Sequence, residues 1–243
     1  MGESFFWGTF AASSLLLGGL YSLWFPIPRR ALGLVMAFGA GVLISAVAFE
    51  LVEDAFNTSA GSGGVAVGLL AGSIVFFAGD AFIDRLGGEQ RKDAGGGQAE
   101  GSALAIVLGI VLDGIPESLV LGLTVLEAGK VSAAFLVAVF LSNLPEAIAA
   151  TTGLSDAGWK KSRLLGLWVL VMLVSGLAAL AGYAFLDTAS ERIIAFVLSF
   201  AAGAILTMLA DTMMPEAFEH GGKLVGLFTT LGFALAFGIS SLE

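Results

Sequence analysis

The chain has no cysteine and a single histidine, His220, and only 13% of its residues are charged. Without cysteine there can be no disulfide and no thiolate metal site. One histidine cannot build a histidine metal cluster, so a terminal or exit ligand is the most it can be. Soluble globular domains carry about a quarter charged residues. Half that share, with 57% hydrophobic residues, points to a chain that lives in lipid. The net charge of −9 excludes a basic surface for nucleic acid, and its acids fall largely within or at the ends of apolar runs.

Apolar runs long enough to cross a bilayer, about 20 residues each, dominate the sequence. Uncharged runs cover 5–25, 31–49, 164–186, 193–210 and 224–242. Three more, 63–86, 102–126 and 131–154, carry an acid or two. This predicts an all-α integral membrane protein of eight transmembrane helices, forming one domain over 1–243. The first run has Glu3 where a signal peptide would be basic, and it reads as a retained helix. With eight crossings, one set of loops holds Arg29, Arg30, Arg85, Arg91, Lys92, Lys160, Lys161, Arg163 and Lys223. The opposite set holds only Lys130 and Arg192. Positive charge marks the cytoplasmic side, so both termini are expected outside a cell (inner) membrane. The Gly-rich, charged segment 87–101 becomes a flexible cytoplasmic loop.

The second and seventh predicted helices resemble each other. A shift of 162 residues aligns Phe38 with Phe200, Ala40 with Ala202, Gly41 with Gly203 and Ala48 with Ala210. Ala55 and Phe56 then meet Ala217 and Phe218, with Asp54 opposite Glu216. The two helices have opposite predicted directions, which describes an inverted repeat of helices 1–3 and 6–8 in a 3+2+3 arrangement. Gly64, Gly68 and Gly72, spaced by four, form a stripe suited to close helix packing.

Acids inside apolar helices are costly and are usually functional. The fourth predicted helix contains Asp113-Gly114-Ile115-Pro116-Glu117, and the fifth contains Ser142-Asn143-Leu144-Pro145-Glu146. Asp113 and Glu117 are four apart and share a helix face. Ser142 and Asn143 precede Glu146 by four and three, giving a second polar face. Both clusters fall near the middle of their spans. Each proline frees a backbone carbonyl, of Leu112 and of Leu141. Together these groups make an oxygen-rich set for a divalent cation. Unoccupied, the three carboxylates would repel one another, so metal binding should displace protons. Further acids mark a route: Glu50 and Glu53 at the outer end of the second helix, and Asp211, Glu216 and His220 towards the inner end of the seventh.

These residues resemble the ZIP (Zrt/Irt-like) divalent metal transporters, over nearly the whole chain. The prokaryotic, GufA-like branch is similar in the segment Met214-Pro215-Glu216-Ala217. Where the family's fourth helix typically reads His-Asn-x-Pro-Glu-Gly, this chain has Asp113-Gly114-Ile115-Pro116-Glu117-Ser118. Ser142, Asn143 and Glu146 occupy the ligand positions of the fifth. The resemblance implies uptake of a divalent metal, Zn, Mn, Fe or Cd, into the cytoplasm by alternating access, with no organic cofactor. Helices one, four, five and six would move against two, three, seven and eight. Both motifs lack histidine, and the sixth predicted helix lacks a glutamate. A single all-oxygen site therefore replaces a two-metal centre and favours harder ions such as Mn²⁺ or Fe²⁺.

Three other readings use some of the same residues. A cation channel needs the same acids. A proton-coupled solute carrier would want an intramembrane Arg or Lys for an anionic substrate, and none is present. An intramembrane aspartyl-type enzyme could pair Asp113 with Glu146, but the chain otherwise reads as a transporter and not an enzyme. Expected partners are the metal and the lipid bilayer, with no nucleic acid, and a homodimer is compatible with such a chain.

Overall fold

A computed structural model describes residues 1–59, 63–88 and 103–242. Among these residues there is no strand. The helices are α1 (Gly2–Trp24), α2 (Arg29–Ala46), α3 (Glu53–Thr58), α4 (Gly64–Ile83) and α5 (Ala103–Ala128). They continue as α6 (Ala133–Asp156), α7 (Lys161–Leu186), α8 (Glu191–Met208), α9 (Met214–Gly221) and α10 (Val225–Ser240). Helix is the form that satisfies every backbone N–H and C=O within one segment, as a lipid environment requires. Most of the proposed 87–101 loop lies outside the described residues. Its first two residues end a π-helical turn, Asp84–Gly88.

Among the described residues, seven helical stretches are long and apolar enough to cross a membrane. Large apolar side chains such as Leu70, Ile74, Phe77, Phe185 and Leu227 lie exposed on them. So much apolar surface suits lipid and not water. The protein is an all-α, multi-pass membrane protein. The seventh stretch, Glu191–Ser240, runs for 50 residues and joins the seventh and eighth predicted helices. Gly222 interrupts it with φ 62° and ψ −145°, a backbone conformation that glycine tolerates and that side chains disfavour.

The helices pack in two groups. In one, α1 lies against α6 and α7, and α5 against α7. In the other, α2 lies against α9 and α10, and α4 against α8. Between the groups, α6 meets α2 along the widest contact, and α5 touches α4 and α8 less extensively. Trp168 is buried in the core of the first group, where its indole N–H donates to the Thr151 hydroxyl at 2.8 Å.

Two crossings in the second group are built alike. Where α2 crosses α10, Gly41 abuts the Thr229 backbone and Gly232 abuts that of Phe38. Where α8 crosses α4, Gly203 abuts the Leu69 backbone and Gly72 that of Phe200. At each place a Cβ would collide with main chain, so small residues set the approach. The same 162-residue shift relates Phe38 and Gly41 to Phe200 and Gly203. It also relates two π-helical turns, Val47–Val52 after α2 and Leu209–Met213 after α8.

Candidate functional site

Pro116 and Pro145 both sit inside continuous helices, α5 and α6. The long apolar stretches on either side hold each helix together across the missing hydrogen bond. The flanking polar residues are deeply buried: Asp113 is 3% exposed, Glu117 2%, Ser142 0%, Asn143 5% and Glu146 9%. Ser118 joins them at 4%. A buried ionised carboxylate is tolerated only with partners or a metal, and Asp113, Glu117 and Glu146 each interact with other groups of the protein. The Ser142 hydroxyl donates to the Val139 carbonyl at 3.1 Å, which leaves its oxygen lone pairs available.

The two clusters have different neighbours. Gly114, between Asp113 and Pro116, faces Ser175 of α7: a Cβ built there would stand 3.8 Å from the serine oxygen. Ser142 lies instead against Gly39 of α2, whose Cβ would come within 3.1 Å of the Ser142 Cα. α5 and α6 touch each other only slightly. Among the described residues, no three Asp, Glu or His side chains gather into a group that could hold a metal.

The proposed route residues are more scattered. Glu50 lies in the first π turn, and its carboxylate accepts two hydrogen bonds, from Ser132 at 2.7 Å and from Ser240 at 2.6 Å. Ser132 also caps the start of α6, accepting from the Phe135 N–H at 3.1 Å. Glu50 therefore joins the ends of α6 and α10 to α2. Glu53, one residue beyond that π turn, is exposed at the start of α3. Asp211 lies in the second π turn and is exposed. His220 Nε2 approaches Glu216 Oε1 at 2.9 Å, one helical turn apart on α9. The pair is close enough for an ion pair, although its angle does not suit a hydrogen bond. Sequence reasoning missed Ser132 and Ser240. A serine before an apolar run is an N-cap signal and could have marked Ser132, whereas nothing local marks Ser240.

Carboxylates buried on proline-containing helices place the chain among multi-pass membrane proteins that carry acids within their apolar spans. No known family model matches the chain. The chain is similar to a protein of Arabidopsis thaliana named as a candidate zinc transporter, at 25% identity over 215 residues, or 87% of this chain. The matched region is 33% of that protein, so the chain spans about a third of its relative's length.

Proposed function

We propose that this protein carries divalent metal cations across the membrane into the cytoplasm. The observation that carries the reading is the burial, below a tenth exposure, of Asp113, Glu117, Ser142, Asn143 and Glu146 on two helices of a membrane bundle. Their oxygens are hard donors, suited to divalent cations. The relative's name adds zinc as a metal to test. As substrate, the cation would draw the carboxylates of α5 and α6 together and displace their protons.

Eight crossings fit the contacts, and the long stretch Glu191–Ser240 supplies the seventh and eighth. Gly221, at its turn, packs on Gly33 near the start of α2. Ser240, at its end, reaches Glu50 in the π turn that follows α2. α10 therefore runs alongside α2 and in the same direction. α8 touches α3 and the π turn after α2, and α9 ends at Gly33 near the start of α2, so this stretch approaches α2 in the reverse direction. A chain that doubles back at Gly222 supports a 3+2+3 arrangement with an inverted repeat. The loop charges support a reading with both termini outside a cell membrane. In this reading the group α1, α5, α6 and α7 shifts against α2, α4 and α8–α10, chiefly along the α2–α6 contact, to expose the site alternately. The likeness to ZIP transporters of prokaryotic, GufA-like type supports the same mechanism.

Flux of Zn²⁺, Mn²⁺, Fe²⁺ and Cd²⁺ into proteoliposomes tests the reading. Saturable uptake should fall by at least about tenfold in Glu117→Ala and in Glu146→Ala, the loss of a charged ligand being worth 1.4 kcal/mol or more. Undiminished flux in both folded variants would sink the site assignment.

A further inference from the structure

The two matched crossings differ in how they are filled. At α2–α10 the Phe49 ring lies 6.1 Å from that of Phe233 and 5.0 Å from that of Phe237, centroid to centroid. The register that pairs Gly41 with Gly203 pairs Phe49 with Asp211. The register that pairs Gly232 with Gly72 pairs Phe233 with Ser73, and Phe237 with Phe77. Two of the three rings are therefore missing from the α4–α8 crossing, and a groove of about 690 Å³ opens there. That volume lies within the range of small-molecule sites.

The groove has an apolar body and one charged end. Leu70, Ile74, Phe77 and Leu206 line it, and the Ser73 and Thr207 hydroxyls meet at 2.8 Å. Asp211 is part of its wall, exposed and without a hydrogen-bond or ion-pair partner among the described residues. Asp211 lies 20 residues beyond Glu191, or roughly 30 Å along the helix. With Glu191 at one boundary, that distance matches the thickness of the hydrocarbon core and sets the carboxylate near the opposite headgroup level. An exposed carboxylate there can pair with a cationic hydrogen-bond donor. An anionic headgroup would be repelled, and a quaternary ammonium has no N–H to donate.

We propose that this groove binds phosphatidylethanolamine, a phospholipid with a primary ammonium head. An acyl chain lies along Leu70, Ile74, Phe77 and Leu206, and the ammonium pairs with the Asp211 carboxylate. The inference needs only that the protein sits in a bilayer, and metal movement plays no part in it.

The test places the full chain in nanodiscs of equal phosphatidylethanolamine and phosphatidylglycerol and counts retained lipid by native mass spectrometry after detergent extraction. The wild type should keep one phosphatidylethanolamine, favoured over phosphatidylglycerol by about tenfold. Asp211→Asn should lose that preference. Ser73→Phe, which supplies the ring found at the matched position, should exclude the lipid while lowering thermal unfolding no further than the lost hydrogen bond to Thr207 explains. Equal retention of both lipids by the wild type, retention of neither, or an unchanged preference in Asp211→Asn overturns the proposal. So does a wild-type dimer that Ser73→Phe dissociates, which would give the groove to a second copy of the chain. Because no arm measures flux, failure of the transport reading is distinguishable from failure of this one.

Discussion

α5 and α6 carry the same proline–glutamate pair in different surroundings. α5 lies mainly against α7, within its own group of helices, and Gly114 there has ordinary clearance from Ser175. α6 faces both ways, against α1 in its own group and against α2 in the other. At that seam Ser142 and Gly39 are almost in backbone contact. Similar sequence motifs thus sit in different mechanical settings: in the proposed mechanism α5 would contribute ligands, whereas α6 would contribute ligands and also border the surface along which the two groups would slide. If that is correct, ligand substitutions should hurt equally on both helices, and packing substitutions should hurt only on α6.

The largest expected effect tests the first half of that comparison. Glu117→Gln and Glu146→Gln keep shape and hydrogen-bonding capacity but remove charge. Each should reduce the apparent affinity for Mn²⁺ by at least about tenfold in proteoliposome uptake. A loss confined to one helix would show that the pair does not act as one site.

Packing tests the second half. Gly39→Val forces a branched side chain against the Ser142 main chain and should cost about 1–3 kcal/mol of stability. Flux should fall further than the stability loss explains, because the seam can no longer slide. Gly114→Ala meets only ordinary contact and gains helix propensity of up to about 1 kcal/mol. It should unfold no lower than wild type in a thermal scan and should transport normally. Equal damage from the two substitutions would remove the distinction between the helices.

Much of this was legible in the sequence because lipid imposes simple rules. Apolar runs of about 20 residues became the helices, and Asp80, Asp113, Glu117 and Glu146 within them proved buried. The Gly68 and Gly72 stripe did mark a close crossing, with α8. The two π turns were not legible, since they arise from register shifts between packed helices and no residue type encodes them. Helical spacing showed which residues of α5 and α6 share a face. It could not show how far apart those faces stand, which depends on helix rotation and on the contacts of α7 and α2. The seventh and eighth predicted helices join in one continuous stretch because Gly222 turns the chain within a single 3₁₀ turn, Gly222–Leu224, leaving no loop between them. The open groove was invisible for a related reason: Ser73 and Asp211 signify missing rings only once their aromatic counterparts are known.

The smallest expected effect separates two serines that share one acceptor. Ser132 and Ser240 both donate to Glu50, from positions 82 and 190 residues away. Ser132 has a second task, capping α6 through the Phe135 N–H. Ser240→Ala should therefore cost about 0.5–1.5 kcal/mol, the net worth of one hydrogen bond. Ser132→Ala should cost about 1 kcal/mol more, from the lost cap. Thermal unfolding in detergent resolves a difference of that size. Since α6 is tied at its start to the opposite group through Glu50, Ser132→Ala should also speed metal uptake if opening that end limits the rate. A variant that is less stable yet no faster would make the Glu50 contacts structural, and would leave the Gly39–Ser142 approach as the feature that sets α6 apart from α5.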